Sequence, residues 1–271
     1  MTIDLETEEV PMEKVVSTDG TQIAFERFGS GPSLVMAAGA FNDRSATDPL
    51  GRALAGRAEV FNYDRRGRGD SGDTAPYAVE REIQDLDALI AAAGGQVSVF
   101  GYSSGANLVL KAAAAGSAIG RLVLYEPPFN PDDGYPALPP NLAGQLAELI
   151  EAGDRGGAVE LYQTVAVGMP QETVVAMRSA PFRAGMEAIA HTLAYDAAVV
   201  GDRRLPTEML AAINVPALVI RGEQSSPFMR DAAAAAAAAL PAGQLITLPG
   251  QSHGIDPDAT AAVIGAFLDA N

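Results

Sequence analysis

The chain has 271 residues, of which 48 % are hydrophobic and 19 % charged, which is enough for one large domain with a buried core. It has no cysteine, which excludes disulfides, a thiolate nucleophile and cysteine metal sites, and its 2 histidines leave little material for a metal centre. The net charge of −16 disfavours nucleic acid and anionic membranes, so we expect a small-molecule substrate as the partner.

Residues 1–9 lack the basic start and the long apolar stretch of a signal peptide, and no apolar run elsewhere approaches membrane-spanning length. These features predict a cytoplasmic protein. We expect neither a metal nor an organic cofactor. The composition leaves the oligomeric state open, with a homo-oligomer among the alternatives.

Strand patterns alternate with helix patterns along the chain. Residues 14–17 and 21–27 alternate in polarity around Asp19-Gly20 and predict a β-hairpin. Later apolar runs are typical of buried parallel strands, and they occupy 34–38, 60–63, 97–100, 122–125, 218–220 and 245–248. Helices are predicted over 80–93, 229–240 and 259–268, the second of which contains eight consecutive alanines, 232–239. This order indicates an α/β fold with a mostly parallel twisted sheet and helices on both faces.

The pattern G-x-S-x-G occupies residues 101–105, between a predicted strand and a helix pattern that begins at Ala106. A serine at so sharp a turn has strained backbone, and glycines two residues to either side relieve the crowding. Its hydroxyl projects at a helix N-terminus, where amide N–H groups and the helix dipole favour developing negative charge. Ser103 is therefore the candidate nucleophile.

His253 follows the last predicted strand and comes after Ser103 in the chain. This order is that of α/β-hydrolases and differs from the orders in chymotrypsin-like and subtilisin-like proteases. Residues 63–71 also resemble the D-x-R-G-x-G-x-S turn of that superfamily, in which we expect Arg66 to brace neighbouring loops. Over essentially its full length the chain resembles an α/β-hydrolase.

The resemblance implies a serine hydrolase with Ser103 as nucleophile and His253 as general base. It places one oxyanion-hole donor after the third strand, which we assign to the N–H of Ala40, and the other at the N–H of Ser104. Phe41 and Tyr102 adjoin these positions, and we expect both to contact substrate.

The triad acid departs from the usual pattern of the superfamily. Most members carry it in a loop after the seventh strand, where this chain has Ser225 and Ser226. Glu126 follows the sixth strand instead, as the acid does in one subgroup of haloalkane dehalogenases and in zearalenone-lactonase-like enzymes. We therefore predict Glu126 as the acid, with a helix-capping or loop-bracing carboxylate as the alternative interpretation. Glu223 is the next candidate, and Asp256 and Asp258 are the weakest.

The segment between Pro127 and Pro216 is too long for a simple connection and carries several helix patterns. We expect a core of residues 1–127 and 216–271 and a helical cap of residues 128–215. The other histidine, His191, lies in the cap, where it either contacts substrate or packs on a helix face.

These residues predict acyl transfer on a carboxylic ester or lactone of a small apolar substrate. A serine at the elbow argues against haloalkane dehalogenase and epoxide hydrolase chemistry, which use a carboxylate there. Carbon-carbon bond hydrolysis or perhydrolysis by the same triad, and ligand binding without catalysis, are the alternatives.

Overall fold

The computed structural model describes residues 10–132 and 134–270, so the prediction about a signal peptide in residues 1–9 lies outside the described residues. The strands of its sheet are β1 (Met12–Val16), β2 (Gln22–Gly29), β3 (Ser33–Ala37), β4 (Glu59–Tyr63), β5 (Val97–Tyr102), β6 (Ile119–Tyr125), β7 (Ala217–Gly222) and β8 (Gly243–Leu248). They lie side by side in the order β1-β2-β4-β3-β5-β6-β7-β8. β2 is antiparallel to both of its neighbours, and the pairs from β4 to β8 are parallel. This confirms the predicted, mostly parallel sheet.

The α-helices are α1 (Asp48–Leu54), α2 (Val79–Ala92), α3 (Ser104–Ala115), α4 (Leu142–Glu151), α5 (Arg155–Leu161), α6 (Gln171–Ala176), α7 (Arg183–Ala188), α8 (Leu193–Val200), α9 (Thr207–Ala211), α10 (Pro227–Ala239) and α11 (Pro257–Asp269). None of the described helices has the length and apolar content needed to cross a membrane. α10 and α11 each begin two residues before the predicted start. Each has proline in its first turn, which suits that position, and a side-chain cap from Ser226 or Asp256.

Alternate residues of the strands face opposite sides of the sheet. Val35 and Ala37 of β3 belong to one hydrophobic cluster, which contains apolar residues of α2, α3 and α10. Leu34 and Met36 belong to a second cluster, which contains residues of α1 and α11. Both faces of the sheet are therefore covered, as a parallel sheet requires.

A third hydrophobic cluster lies between β6 and β7 in the sequence. It is built mainly on α4, α5 and α8, and its buried residues run from Leu138 to Val200. The segments on either side pack with the first cluster of the core, through Phe129 at one end and Leu210 and Ile213 at the other. The helical cap that we propose therefore has its own cluster over residues 138–200, whereas both ends of the predicted range 128–215 join the core.

Candidate active site

Ser103 lies at the sharp turn between β5 and α3. Its φ of 54° and ψ of −121° place it outside the regions that most residues other than glycine adopt. A Cβ at Gly101 would lie 2.6 Å from the Ala106 Cα, and one at Gly105 would lie 2.5 Å from the Ala37 carbonyl oxygen. Both contacts are with backbone, which cannot give way easily. The two glycines of G-x-S-x-G are thus required by close packing around the turn.

The loop after β3 packs against this turn. A Cβ at Gly39 would lie 2.9 Å from the Tyr102 carbonyl oxygen, so the two chain segments are almost in contact. Ala40 and Ser104 both line the cavity that contains Ser103. Phe41 has a φ of 62°, and its ring meets that of Tyr162 edge to face with centroids 5.3 Å apart. The loop is therefore fixed on one side by the turn and on the other by the cap.

Glu126 and His253 form a short polar contact at the carboxyl edge of the sheet. Glu126 directly follows β6, is fully buried, and has its Oε2 2.6 Å from Nδ1 of His253. Its Oε1 accepts a hydrogen bond from the Gly222 N–H at 2.8 Å. Burial acts to raise the pKa of Glu126, but the hydrogen bonds from His253 and the Gly222 N–H outweigh this effect, and the pKa is lowered. Glu126 is thus held as a carboxylate facing the imidazole.

The other candidate acids have different contacts. The Glu223 carboxylate accepts a hydrogen bond from the Gly250 N–H at 2.9 Å. Asp256 caps α11 by accepting from the Ala259 N–H at 2.8 Å. Ser225, one of the two serines at the expected position of the acid, is buried beside Glu126. Among the described acidic residues, only Glu126 lies within ion-pair distance of His253.

Two tyrosines hold the loop that carries His253. The Tyr102 hydroxyl, at the end of β5, donates to the His253 carbonyl oxygen at 3.0 Å. The Tyr125 hydroxyl, at the end of β6, donates to the Ser252 carbonyl oxygen at 2.9 Å. Burial and the charge of Glu126 raise the pKa of Tyr102 to about 12, which keeps its hydroxyl a donor. The strands that carry Ser103 and Glu126 therefore also position the histidine loop.

A buried ionic network connects α8 with the turn after β4. Asp196 of α8 is fully buried and lies 2.8 Å from Nη1 of Arg65 and 2.8 Å from Nη2 of Arg68. It also accepts a hydrogen bond from the Ser104 hydroxyl at 2.8 Å, and Arg68 donates to the Gly39 carbonyl oxygen at 2.6 Å. Burial acts to raise the pKa of Asp196, but the charges of Arg68 and Arg65 dominate and the pKa is lowered. The network therefore contacts both expected oxyanion-hole segments, at the Gly39 carbonyl oxygen that precedes Ala40 and at the Ser104 hydroxyl.

The sequence pattern predicts a bracing role for Arg66 but does not predict this network. Arg66 does brace neighbouring segments, since it pairs with Asp85 of α2 and Asp19 of the β1–β2 turn. A signal for the network was present, because Arg65 and Arg68 flank Arg66 and a buried arginine needs a carboxylate partner. The lone aspartate in the apolar segment 193–200 is the corresponding acid.

A cavity of about 570 Å³ opens at the carboxyl edge of the strands, beneath the cap. It brings together Ser103, His253, Ala40 and Ser104 with the predicted substrate contacts Phe41 and Tyr102. Its remaining wall is largely apolar and contains four methionines: Met169, Met177, Met186 and Met229. Methionine side chains adapt readily to irregular apolar ligands.

His191, the other expected substrate contact, does not line this cavity. Its Nε2 lies 3.6 Å from the Asp73 carboxylate and its Nδ1 lies 3.3 Å from Nη2 of Arg155. Burial lowers the pKa of His191, which favours the neutral ring. The position fits the alternative, a histidine packed on the surface of the cap.

Comparison with known proteins identifies the family. The model of the alpha/beta hydrolase family matches residues 34–265. An alpha/beta hydrolase from Sphaerobacter thermophilus is 50 % identical, and its crystal structure has a TM-score of 0.88 over 94 % of this chain and 99 % of that chain. A 2-(acetamidomethylene)succinate hydrolase from Mesorhizobium japonicum is 26 % identical over 256 residues, which make up 89 % of this chain and 90 % of that protein. An esterase from a Rhodococcus species shares the fold at 20 % identity, with a TM-score of 0.68 over 96 % of this chain and 98 % of that chain. The chain therefore belongs to the alpha/beta hydrolase family.

Proposed function

We propose that this chain is a serine hydrolase that cleaves carboxylic esters or lactones of a small, largely apolar substrate through an acyl-enzyme intermediate. The observation that carries the proposal is the 2.6 Å contact between Glu126 Oε2 and His253 Nδ1, beside a cavity that both His253 and Ser103 line. A carboxylate facing Nδ1 keeps Nε2 free to accept a proton.

The mechanism assigns one role to each group. The Ser103 oxygen attacks the substrate carbonyl while His253 Nε2 takes the hydroxyl proton, and Glu126 stabilises the imidazolium that forms. The N–H groups of Ala40 and Ser104 stabilise the negative oxygen of the tetrahedral intermediate. His253 then gives the proton to the leaving alcohol. A water molecule, activated by the same histidine, hydrolyses the acyl-enzyme and releases the acid.

The cavity supports the proposed substrate class. Its volume of about 570 Å³ suits a small molecule, and its wall of methionines and other apolar side chains favours an apolar body. A linear ester and a lactone place the same carbonyl group before Ser103. The proposal therefore covers both.

A second candidate is hydrolysis of a carbonyl compound other than a simple ester, including carbon-carbon bond cleavage. The name of the Mesorhizobium japonicum relative, a 2-(acetamidomethylene)succinate hydrolase, favours testing amides as well as esters. The same nucleophile, base and oxyanion donors would serve each of these reactions. Perhydrolysis by the same groups and ligand binding without catalysis complete the set of candidate functions.

Labelling with a fluorophosphonate probe tests whether Ser103 is an activated nucleophile. The protein should label at one serine, and Ser103→Ala should abolish both labelling and turnover of 4-nitrophenyl acetate. Ser104→Ala is the matched control, since it retains the backbone N–H. Its hydroxyl donates to buried Asp196, so we expect a loss of stability of about 1–3 kcal/mol with labelling retained. A protein that stays folded and never labels would contradict the acyl-enzyme mechanism and favour a binding role.

A further inference from the structure

Arg203 differs from the other buried arginines in having no acidic partner. The buried arginines are Arg65, Arg66, Arg68, Arg183 and Arg203. The first four each form at least one ion pair with a carboxylate. No carboxylate of residues 10–132 or 134–270 lies within 4.0 Å of Arg203, although the residue is buried.

The Arg203 side chain lines the cavity that contains Ser103 and His253. Arg203 follows the end of α8 with a φ of 67°, and the residue is 8 % exposed. Its Nη2 donates to the Ala166 carbonyl oxygen, and its guanidinium carbon lies 5.1 Å from the centre of the Phe228 ring. Its Nε is buried and makes no hydrogen bond with the described residues. The guanidinium therefore has donor capacity and positive charge that the surrounding protein does not use.

An unpaired buried cation is unfavourable unless it has another role. Burial lowers the pKa of Arg203, but a guanidinium stays protonated at neutral pH. The Ala166 carbonyl oxygen and the Phe228 ring compensate part of the hydration that Arg203 loses on burial. Neither group supplies a negative charge that pairs with the guanidinium. A carboxylate is the complementary group, because its two oxygens match the planar fork of donors on arginine.

We propose that Arg203 binds a carboxylate of the substrate, and that this hydrolase acts on esters which carry a free carboxylate in addition to the bond that is cleaved. The inference rests on the proposed function and adds the charge of the substrate to it. The apolar chain between the free carboxylate and the cleaved ester would then contact the apolar wall of the cavity, to which four methionines contribute. A largely apolar body with one anionic end is therefore the substrate that the cavity fits.

A purely structural role is the competing interpretation. Arg203 joins the end of α8 to Ala166 and packs over Phe228, so it stabilises the cap whatever the substrate is. The two roles differ in what they predict for selectivity. Loss of a structural contact lowers the turnover of all esters together, whereas loss of a carboxylate site lowers the turnover of anionic esters selectively.

The test compares two esters that differ in one group: mono(4-nitrophenyl) adipate, which has a free carboxylate, and its methyl ester, which is neutral. The wild-type enzyme should show a kcat/KM that is about 10- to 100-fold higher for the anionic ester, mainly through a lower KM, as expected for one charge-assisted contact. Arg203→Met should bring the ratio of the two kcat/KM values close to one. Arg203→Lys keeps the charge without the planar fork and should give an intermediate ratio.

The neighbouring arginine provides the matched control. The Arg204 side chain is 81 % exposed and does not line the cavity, so Arg204→Met makes the same change in net charge outside the site. It should keep the wild-type ratio. Equal ratios in wild type, Arg203→Met and Arg204→Met would overturn the inference, as would a wild-type ratio near one.

A binding measurement separates this inference from the proposed function. Glutarate should bind saturably to Ser103→Ala, which cannot form an acyl-enzyme. The double variant Ser103→Ala/Arg203→Met should bind glutarate at least about 10-fold more weakly. If the wild type never reacts with fluorophosphonate but glutarate binds through Arg203, the hydrolase proposal fails and the carboxylate site stands. If the wild type reacts and glutarate does not bind, the hydrolase proposal stands and the carboxylate site is wrong. Should Arg203→Met fail to fold, the wild-type ratio and the glutarate titration decide alone.

Discussion

We propose that Glu126 takes the triad-acid role that the superfamily resemblance places in the loop after β7. That loop has Ser225 and Ser226 here, and Glu126 directly follows β6. The Gly222 N–H at the end of β7 donates to Glu126, so β7 helps to orient this carboxylate. The carboxylate that faces the imidazole therefore follows β6 and not β7.

Glu126→Gln tests this assignment. An amide at this position favours the wrong histidine tautomer and cannot stabilise the imidazolium, so the acylation rate should fall by about 10⁴-fold with the fold retained. Stopped-flow measurement with 4-nitrophenyl acetate gives this rate. Glu223→Gln is the control and should change it by less than about 10-fold, since Glu223 contacts the Gly250 N–H at the surface. The reverse ranking would assign the acid to Glu223.

At the scale of elements, the ionic network between α8 and the turn after β4 connects the proposed cap with the loop after β3, which carries Ala40. Asp196 contacts Arg65, Arg68 and Ser104. Movement of α8 would therefore disturb the residues on both sides of the expected oxyanion hole. The cap contributes to the geometry of the site as well as to its walls.

Asp196→Asn should lower the free energy of unfolding by about 3–5 kcal/mol, because it leaves two buried arginines short of negative charge. Urea unfolding at neutral pH measures this loss. Asp87→Asn, at an exposed position on α2, is the control and should change stability by less than about 0.5 kcal/mol.

The effect of Asp196 should also depend on pH. Its pKa is lower in the folded state than in the unfolded chain, so the unfolded state takes up a proton first as the pH falls. The stabilisation is complete above the unfolded pKa of about 3.9 and is lost as the pH falls through the folded value. The difference between wild type and Asp196→Asn should therefore narrow only below about pH 4. A difference that is small at neutral pH would contradict the proposed importance of the network.

At the scale of the whole molecule, the proposed mechanism needs no metal ion. Backbone N–H groups stabilise the negative charge and an imidazole moves the proton. Within residues 10–132 and 134–270 no group of three or more acidic or histidine side chains is arranged to hold a metal. Turnover of 4-nitrophenyl acetate should therefore be unchanged by excess EDTA. Loss of activity that a divalent ion restores would contradict this prediction.

The features that sequence predicts best here depend on local pattern. Short apolar runs define the strands, and the alanines 232–239 form most of α10 with Ala232, Ala233, Ala236 and Ala237 buried. The G-x-S-x-G turn is also a local pattern in the sequence, although only the contact of Gly101 with Ala106 is local and Gly105 packs against Ala37 of β3. Patterns of this kind report on neighbours in the chain or on one face of an element.

The features that sequence predicts poorly depend on how the cap packs. The helix patterns of residues 128–215 indicate a cap, but they do not indicate which polar side chain faces the core. Asp196 and Arg203 both belong to this region and point inward, whereas His191, the residue with the more familiar chemistry, lies outside the cavity. Only the three-dimensional arrangement distinguishes these positions.

The tyrosine contacts to the histidine loop have a consequence for how the enzyme can evolve. Tyr102 and Tyr125 bind carbonyl oxygens of the loop, and every amino acid has a carbonyl oxygen. Ser252, whose carbonyl is held in this way, also lines the cavity. A new side chain at this position would change the shape of the cavity while the imidazole kept its anchor. Substitutions at residue 252 could therefore change which substrates fit the cavity without moving His253.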